Sequence, residues 1–220
     1  MEIRNVKNAS VKTLKQAVVI FEEVARFHIL CINEGRQFEG FEVDYEDNHK
    51  ELTSTLTTLM EIYSLSRQKI HDIIHSHPNT SYSSIENICF LSPNEADFTA
   101  YYLVFMLENP TKFAKTYQNI PKDLLNSHVI KQAKSMVRAY FSNNVAEMGF
   151  LIDTADYFLA SCVSWFMKDI RKRVLDMFKV AFSNMGESKD ISIEFFKDLF
   201  FYNNKQEALN SLLAYGMNQT

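Results

Sequence analysis

Apolar residues recur at three- and four-residue spacing along most of the chain, which is the period of an amphipathic helix. The first such stretch runs from about Val11 to Ile32, with Leu14, Val18, Phe21, Ala25, His28 and Ile32 on one face. Gly35 and Gly40 end it, and an acidic linker through Glu42, Asp44, Glu46 and Asp47 follows. A second helix is predicted from about Glu46 to Arg67, where Leu52, Leu56, Leu59, Met60 and Tyr63 form a narrow stripe among threonines and serines. The stretch from Gln68 to Leu91 contains HSHPNTSYSS, a breaker cluster around Pro78, and reads as a loop or irregular excursion that is helical at most in part.

Ser92-Pro93-Asn94-Glu95 is the strongest local signal. Serine suits the cap and proline the first helical position, and Glu95 is placed to reach back in a capping box. The helix it opens runs to about Glu108 and is rich in aromatics: Phe98, Tyr101, Tyr102 and Phe105. Asn109-Pro110 breaks it. A short helix from Thr111 to Tyr117, a turn at Pro121 and a helix from Ser127 to Ser142 come next. That last helix directs Val129, Ala133, Met136, Val137 and Tyr140 inward. Asn143-Asn144 separates it from Val145 to Ile152, and a long segment from Thr154 to Phe182 reads as one helix or two with a kink, stopped by Gly186. At the end, the β-branched run Ile191-Ser192-Ile193 reads as a strand stub before helices from Ile193 to Phe201 and from Lys205 to Tyr215. Strand, helix, tight turn and helix is how a winged-helix module begins. The two wing strands are not in the sequence, so a winged helix truncated or reduced to its helical part is expected. The expected domains are a helical array over 1–185 and a partial winged helix over 186–220.

Composition supports helices. Only 5 glycines and 4 prolines occur in 220 residues, too few for a turn-rich β architecture. The net charge of -4 offers no global basic field for nucleic acid or acidic lipid, so any such contact needs a local patch. Cys31, Cys89 and Cys162 form no CxxC pair and read as buried, reduced thiols. The most apolar stretch, Tyr157 to Met167, is too short to span a bilayer, and the N-terminus has no apolar signal-peptide core, so a non-secreted protein with no membrane association is expected.

Candidate chemistry is sparse. His71 and His75 share a helical face, with Asp72 and His77 beside them, the pattern a metal-dependent hydrolase would use. Histidines beside a breaker are more often solvated, and neither metal nor cofactor is expected. No GxSxG, HExxH or GxxxxGK[ST] motif occurs. Ser161-Cys162 reads as a small pair that lets helices approach, and Glu22-Glu23 and Glu95 carry no signal beyond the acidic residues any helical protein has. A basic run is more informative. Lys168, Arg171, Lys172 and Lys179 fall on one face while Arg173 points elsewhere, a stripe able to meet phosphates or simply to be solvated; Lys131, Lys134 and Arg138 form a weaker one.

The stretch LSPNEADFTAYY, Leu91 to Tyr102, resembles the signature of the GANP family, a Pro-Asn-Glu-Ala-Glu-Phe-x-x-Tyr pattern opening a helix. Pro93, Asn94, Glu95, Ala96, Phe98 and Tyr101 match it, and Asp97 stands where the pattern has glutamate. RFHILCINE and ELTSTLTTLMEIY upstream, and ASCVSWFMKDIRKRVLDMF and FFYNNKQEALNSLLAYGM downstream, resemble further family segments in the family's order. The resemblance covers about residues 14 to 217, with a longer stretch between Gln68 and Leu91 than the family pattern has and without the wing strands. It implies an all-α, PCI-like helical repeat array followed by a C-terminal winged-helix module, working without catalysis as a scaffold of the mRNA-export complex TREX-2 in the nucleus at the nuclear pore. It implies a second PCI-domain subunit (Thp/PCID-type) and a small acidic DSS/Sem-type subunit as partners, and weak contact with RNA or DNA. Lys168, Arg171, Lys172, Lys197 and Lys205 are the candidates for nucleic acid, and Phe196, Phe200, Leu209 and Leu213 those for the partner interface. A PCI subunit of the proteasome lid, of a translation initiation factor, or a splicing- or centrosome-linked paralogue is the alternative.

Overall fold

The computed structural model describes residues 11–34, 44–76, 90–183 and 191–216. Of the described residues 84% are helical and none is in a strand, so the fold class is all-α. The helices are α1 (Val11–Glu34), α2 (Tyr45–Ser76), α3 (Glu95–Phe105), α4 (Pro110–Gln118), α5 (Lys122–Leu125), α6 (His128–Phe141), α7 (Val145–Asp153), α8 (Tyr157–Ser164), α9 (Met167–Ser183), α10 (Ile193–Phe200) and α11 (Lys205–Ala214). None of them is long and apolar enough to cross a membrane.

The elements form two compact units, Met1–Lys131 and Gln132–Thr220, which part within α6. Within the second unit α10 packs on α7 and α11 packs on α10. In the first unit, Leu14, Val18, Ala25, Ile29 and Ile32 of α1 meet Leu52, Leu56, Leu59 and Ile62 of α2, all almost fully buried. His28 and Asn48 fix the register of this pair: the ring Nδ1 lies 2.6 Å from Asn48 Oδ1, and Asn48 Nδ2 donates to the His28 carbonyl at 3.0 Å. α3 then lies on α2 and is buried almost all round, with Phe98, Leu103, Val104 and Phe105 inside.

Two expectations are corrected, and one is settled between its alternatives. α2 does not stop at Arg67 but continues through Gln68 to Ser76, which carries His71 and His75 onto helix. The long Thr154–Phe182 segment is two helices, broken at Trp165 and Phe166. No strand forms at Ile191–Ser192; instead the Ser192 hydroxyl accepts from the Phe195 amide and caps α10.

Asn143 and Asn144 act in sequence. Asn143 takes the left-handed conformation (φ 53°) that ends α6, and Asn144 donates its amide to the Ala139 carbonyl while its side chain caps α7 through the Glu147 amide. α10 ends on a less usual residue. Phe201 is left-handed at φ 56°, a conformation that costs a non-glycine residue about 1–2 kcal/mol. Its ring lies on the backbone of Gly149 in α7, where a Cβ would sit 1.4 Å from Phe201 Cζ.

That contact predicts a sign reversal. Alanine is the better helix former by about 1 kcal/mol. Even so, Gly149→Ala is expected to destabilise the protein by about 1–2 kcal/mol, because its methyl expels the ring. In a Phe201→Gly background the same change should stabilise by up to about 1 kcal/mol. Urea unfolding of the four proteins reads the cycle, and a stabilising Gly149→Ala in the parent would count against the contact.

Candidate functional site

The signature segment sits over a buried carboxylate. Glu22 lies on the apolar side of α1, four residues after Val18 and three before Ala25, and is only 4% exposed. Its Oε1 accepts from the Tyr63 hydroxyl of α2 at 2.7 Å and from the Ser92 hydroxyl, and its Oε2 accepts from Asn94 Nδ2 at 2.7 Å. Arg26, one turn on, approaches the same carboxylate at 3.9 Å and lies 5.0 Å from the centre of the Phe98 ring. Burial, then the hydrogen bond and charge of Glu22, hold the Tyr63 phenol far above its usual range, so it is a donor at every physiological pH.

The expected capping box does not form. Asn94 is the cap residue of α3 without a side-chain cap bond, and Ser92 accepts from the Asn94 amide at 3.2 Å. Glu95, 4% exposed, turns instead to Arg67: Nε reaches Oε1 at 2.7 Å and Nη2 reaches Oε2 at 3.0 Å. The same guanidinium holds Asp123 of α5 through Nη2 at 2.9 Å and Nη1 at 3.2 Å. Burial works against both charges, but the hydrogen bonds win: Arg67 is pushed up and the Asp123 carboxyl is held below its usual range. Pro93 is exposed, Ala96 is half-buried, and Phe98 and Tyr101 are core. The signature therefore joins α1, α2, α3 and α5. Beside it a cavity of about 680 Å³ opens between α2 and α3, lined in part by Met60, Glu61, Tyr102 and Ile120.

In the second unit the basic stripe divides. Arg171 is mostly buried; its Nε donates to the Phe200 carbonyl at 2.7 Å and its Nη2 to that of Phe201 at 2.9 Å, with the guanidinium 4.4 Å from the centre of the Tyr202 ring. It thereby caps the last turn of α10 at the left-handed Phe201, and burial lowers its hold on its proton. Lys179 donates to the Tyr215 carbonyl at the end of α11. Lys168 and Lys172 are exposed. Lys197 pairs with Asp198 at 2.9 Å and Lys205 with Glu194 at 2.6 Å. Arg173 lies over the Tyr140 ring at 4.1 Å.

The interface candidates divide as well. Phe196 and Phe200 stack at 5.9 Å and are buried within their own unit, Phe196 against Phe178 of α9. Leu209 is half-buried and Leu213 exposed. Cys162 is fully buried, which raises its thiol well above its usual range. His71 and His75 are exposed, with ring centres 4.2 Å apart; His77 and Cys89 lie outside the described residues. Among the described residues no three His, Cys, Asp or Glu side chains gather as metal ligands would.

Sequence reasoning missed Glu22, Tyr63 and Arg67. The available signal was a carboxylate inside an apolar stripe, which folds only if donors arrive from elsewhere.

Two measurements check the network. Tyr63→Phe removes one donor from a buried carboxylate and should cost about 1.5–3 kcal/mol, whereas Arg67→Met leaves Glu95 unpaired and should cost about 3 kcal/mol or more. Equal small losses in both would argue against a closed network. Because the folded Asp123 carboxyl titrates below its unfolded value of 3.8, its contribution is present above about pH 4 and is lost as pH falls through the folded value. The stability difference between the parent and Asp123→Asn should therefore vanish in acid, and a difference that persists there would contradict the link.

The family model described as SAC3/GANP family matches residues 2–220. No solved structure matches the chain.

Proposed function

The chain belongs to the SAC3/GANP family, and from that premise we propose that it is a non-enzymatic scaffold subunit of a TREX-2-like complex whose C-terminal helices dock on a second PCI-domain subunit. The coarser role follows from membership: scaffolding in mRNA export, in the nucleus. The finer reading adds a PCI-like platform, the helical part of a winged helix in α10 and α11, attachment at the nuclear pore, and a small acidic DSS/Sem-type subunit on the assembled pair.

One observation carries the docking part. After Phe196 and Phe200 have filled their own unit, α9, α10 and α11 still expose Met177 (56%), Val180 (65%), Phe195 (47%) and Leu213 (47%). Scattered exposed apolar residues are ordinary. Four large ones on three neighbouring helices of a short module suit an interface core. The three helices are tied to one another: Phe178 of α9 meets Phe195 of α10 at 6.4 Å, and Lys179 holds the end of α11. Lys168 and Lys172 remain as the phosphate contacts this surface would offer. Arg171 supports it from beneath, since its donors already hold the end of α10.

Co-expression with a second PCI-domain subunit tests the docking. Phe195→Asp with Leu213→Asp should weaken the pair by about 30-fold or more, as loss of interface hot spots does. Helical circular dichroism and Tm should stay near the parent's. A folded double variant that binds as tightly as the parent would remove the proposed surface.

A further inference from the structure

The continuation of α2 past Arg67 changes the setting of its two histidines. From Gln68 to Ser76 the helix is regular, yet none of its residues is buried; the last buried side chain of α2 is Ser66. Ile70 and Ile73 are half-buried on the side of the helix that carries Leu59 and Tyr63, whereas Gln68, His71, Asp72 and His75 are exposed on the other. His71 and His75 stand four residues apart on this outer side, so they are neighbours across one turn.

Their rings meet. The centres lie 4.2 Å apart with the planes at 54°. An ion held at about 2.0–2.1 Å by one nitrogen of each ring sits about 3 Å from each centre, so this spacing corresponds to about 80–90° at the ion. That is the angle between neighbouring ligands of an octahedral or tetragonal ion, and imidazole suits Cu²⁺, Ni²⁺ and Zn²⁺. The Asp72 carboxylate adds negative charge 3.7 Å from His71 Nδ1. His75 stands in the last turn of α2, where the helix dipole also favours a cation. Once one ring has bound an ion, binding by the second is intramolecular, so a fixed pair holds it more tightly than two separate histidines do.

We propose that His71 and His75 form a two-histidine site for a divalent transition-metal ion, tightest for Cu²⁺, that clips the end of α2. Three gathered protein ligands, which the described residues lack, are not required. Two leave the remaining positions to water, so the ion is a brace across Gln68–Ser76 rather than a reactive centre. The site does not rest on the docking proposed above.

Isothermal titration of the full chain with copper(II) chloride and with zinc chloride tests it. The tightest site of the parent should prefer Cu²⁺ to Zn²⁺. His71→Ala and His75→Ala should each weaken that site about tenfold or more. Spacing is the decisive control. Asp72→His in the His71→Ala chain rebuilds a pair three residues apart and should recover most of the affinity. Gln68→His in the same chain keeps the number of histidines but sets them two turns apart, about 10 Å along the axis, and should not. In the parent, Zn²⁺ should slow amide hydrogen exchange over residues 68–76 about threefold or more, an effect absent from both alanine variants. Circular dichroism confirms that the variants fold. The proposal is overturned if neither alanine substitution weakens the tightest site, or if Asp72→His recovers no more affinity than Gln68→His. It is equally overturned if the loss follows His77→Ala instead of His75→Ala, or if the ion leaves exchange over residues 68–76 unchanged.

Discussion

The first unit depends on an almost fully buried carboxylate, that of Glu22. Burying an ionised Glu22 among Val18, Ala25 and Ile29 would cost several kcal/mol if it stood alone. It is tolerated because α2 brings a phenol, and the segment entering α3 brings a hydroxyl and an amide, to the same two oxygens. Any arrangement of α1, α2 and α3 that separates those donors leaves the charge uncompensated. The network therefore selects one packing of the three helices where apolar stripes alone would allow several, which is the kind of specificity buried polar groups supply in some proteins. Arg67 extends the same logic outward, joining buried Glu95 to exposed Asp123 and so tying α5 to α2 and α3.

The second unit uses a partly buried cation in a comparable way. Arg171 lies under the end of α10, where helix carbonyls lack partners, and takes up two of them at the residue that adopts a left-handed backbone. Phe201 can hold that conformation because its carbonyl is bonded and its ring rests on a glycine. Gly149, Arg171 and Phe201 form one joint, and α10 and α11 are positioned by it.

These two joints change what the charged residues mean. Asn94 and Glu95, the polar heart of the signature, have their side chains turned inward, so the motif identifies the packing of the helices rather than a ligand. Arg171 and Lys179 are engaged with carbonyls, and Lys197 and Lys205 with carboxylates. What remains for other molecules is less conspicuous in the sequence: exposed apolar side chains on α9 to α11, with Lys168 and Lys172 beside them in the chain.

The sequence by itself determined the class of the fold and most of its elements. Scarce glycine and proline and a persistent helical period leave little else, and Ser92-Pro93, Asn109-Pro110 and Asn143-Asn144 place breaks through local backbone chemistry that needs no neighbour. The family, too, was legible in LSPNEADFTAYY. Tertiary structure decided the partners. Nothing near Glu22 in sequence announces Tyr63, 41 residues away, or Ser92, 70 away. Nothing in the run of Lys168, Arg171 and Lys172 tells which side chain turns inward. Helical period and turn chemistry are properties of adjacent residues, whereas the fate of a charge depends on which distant groups the folded chain brings within hydrogen-bond reach.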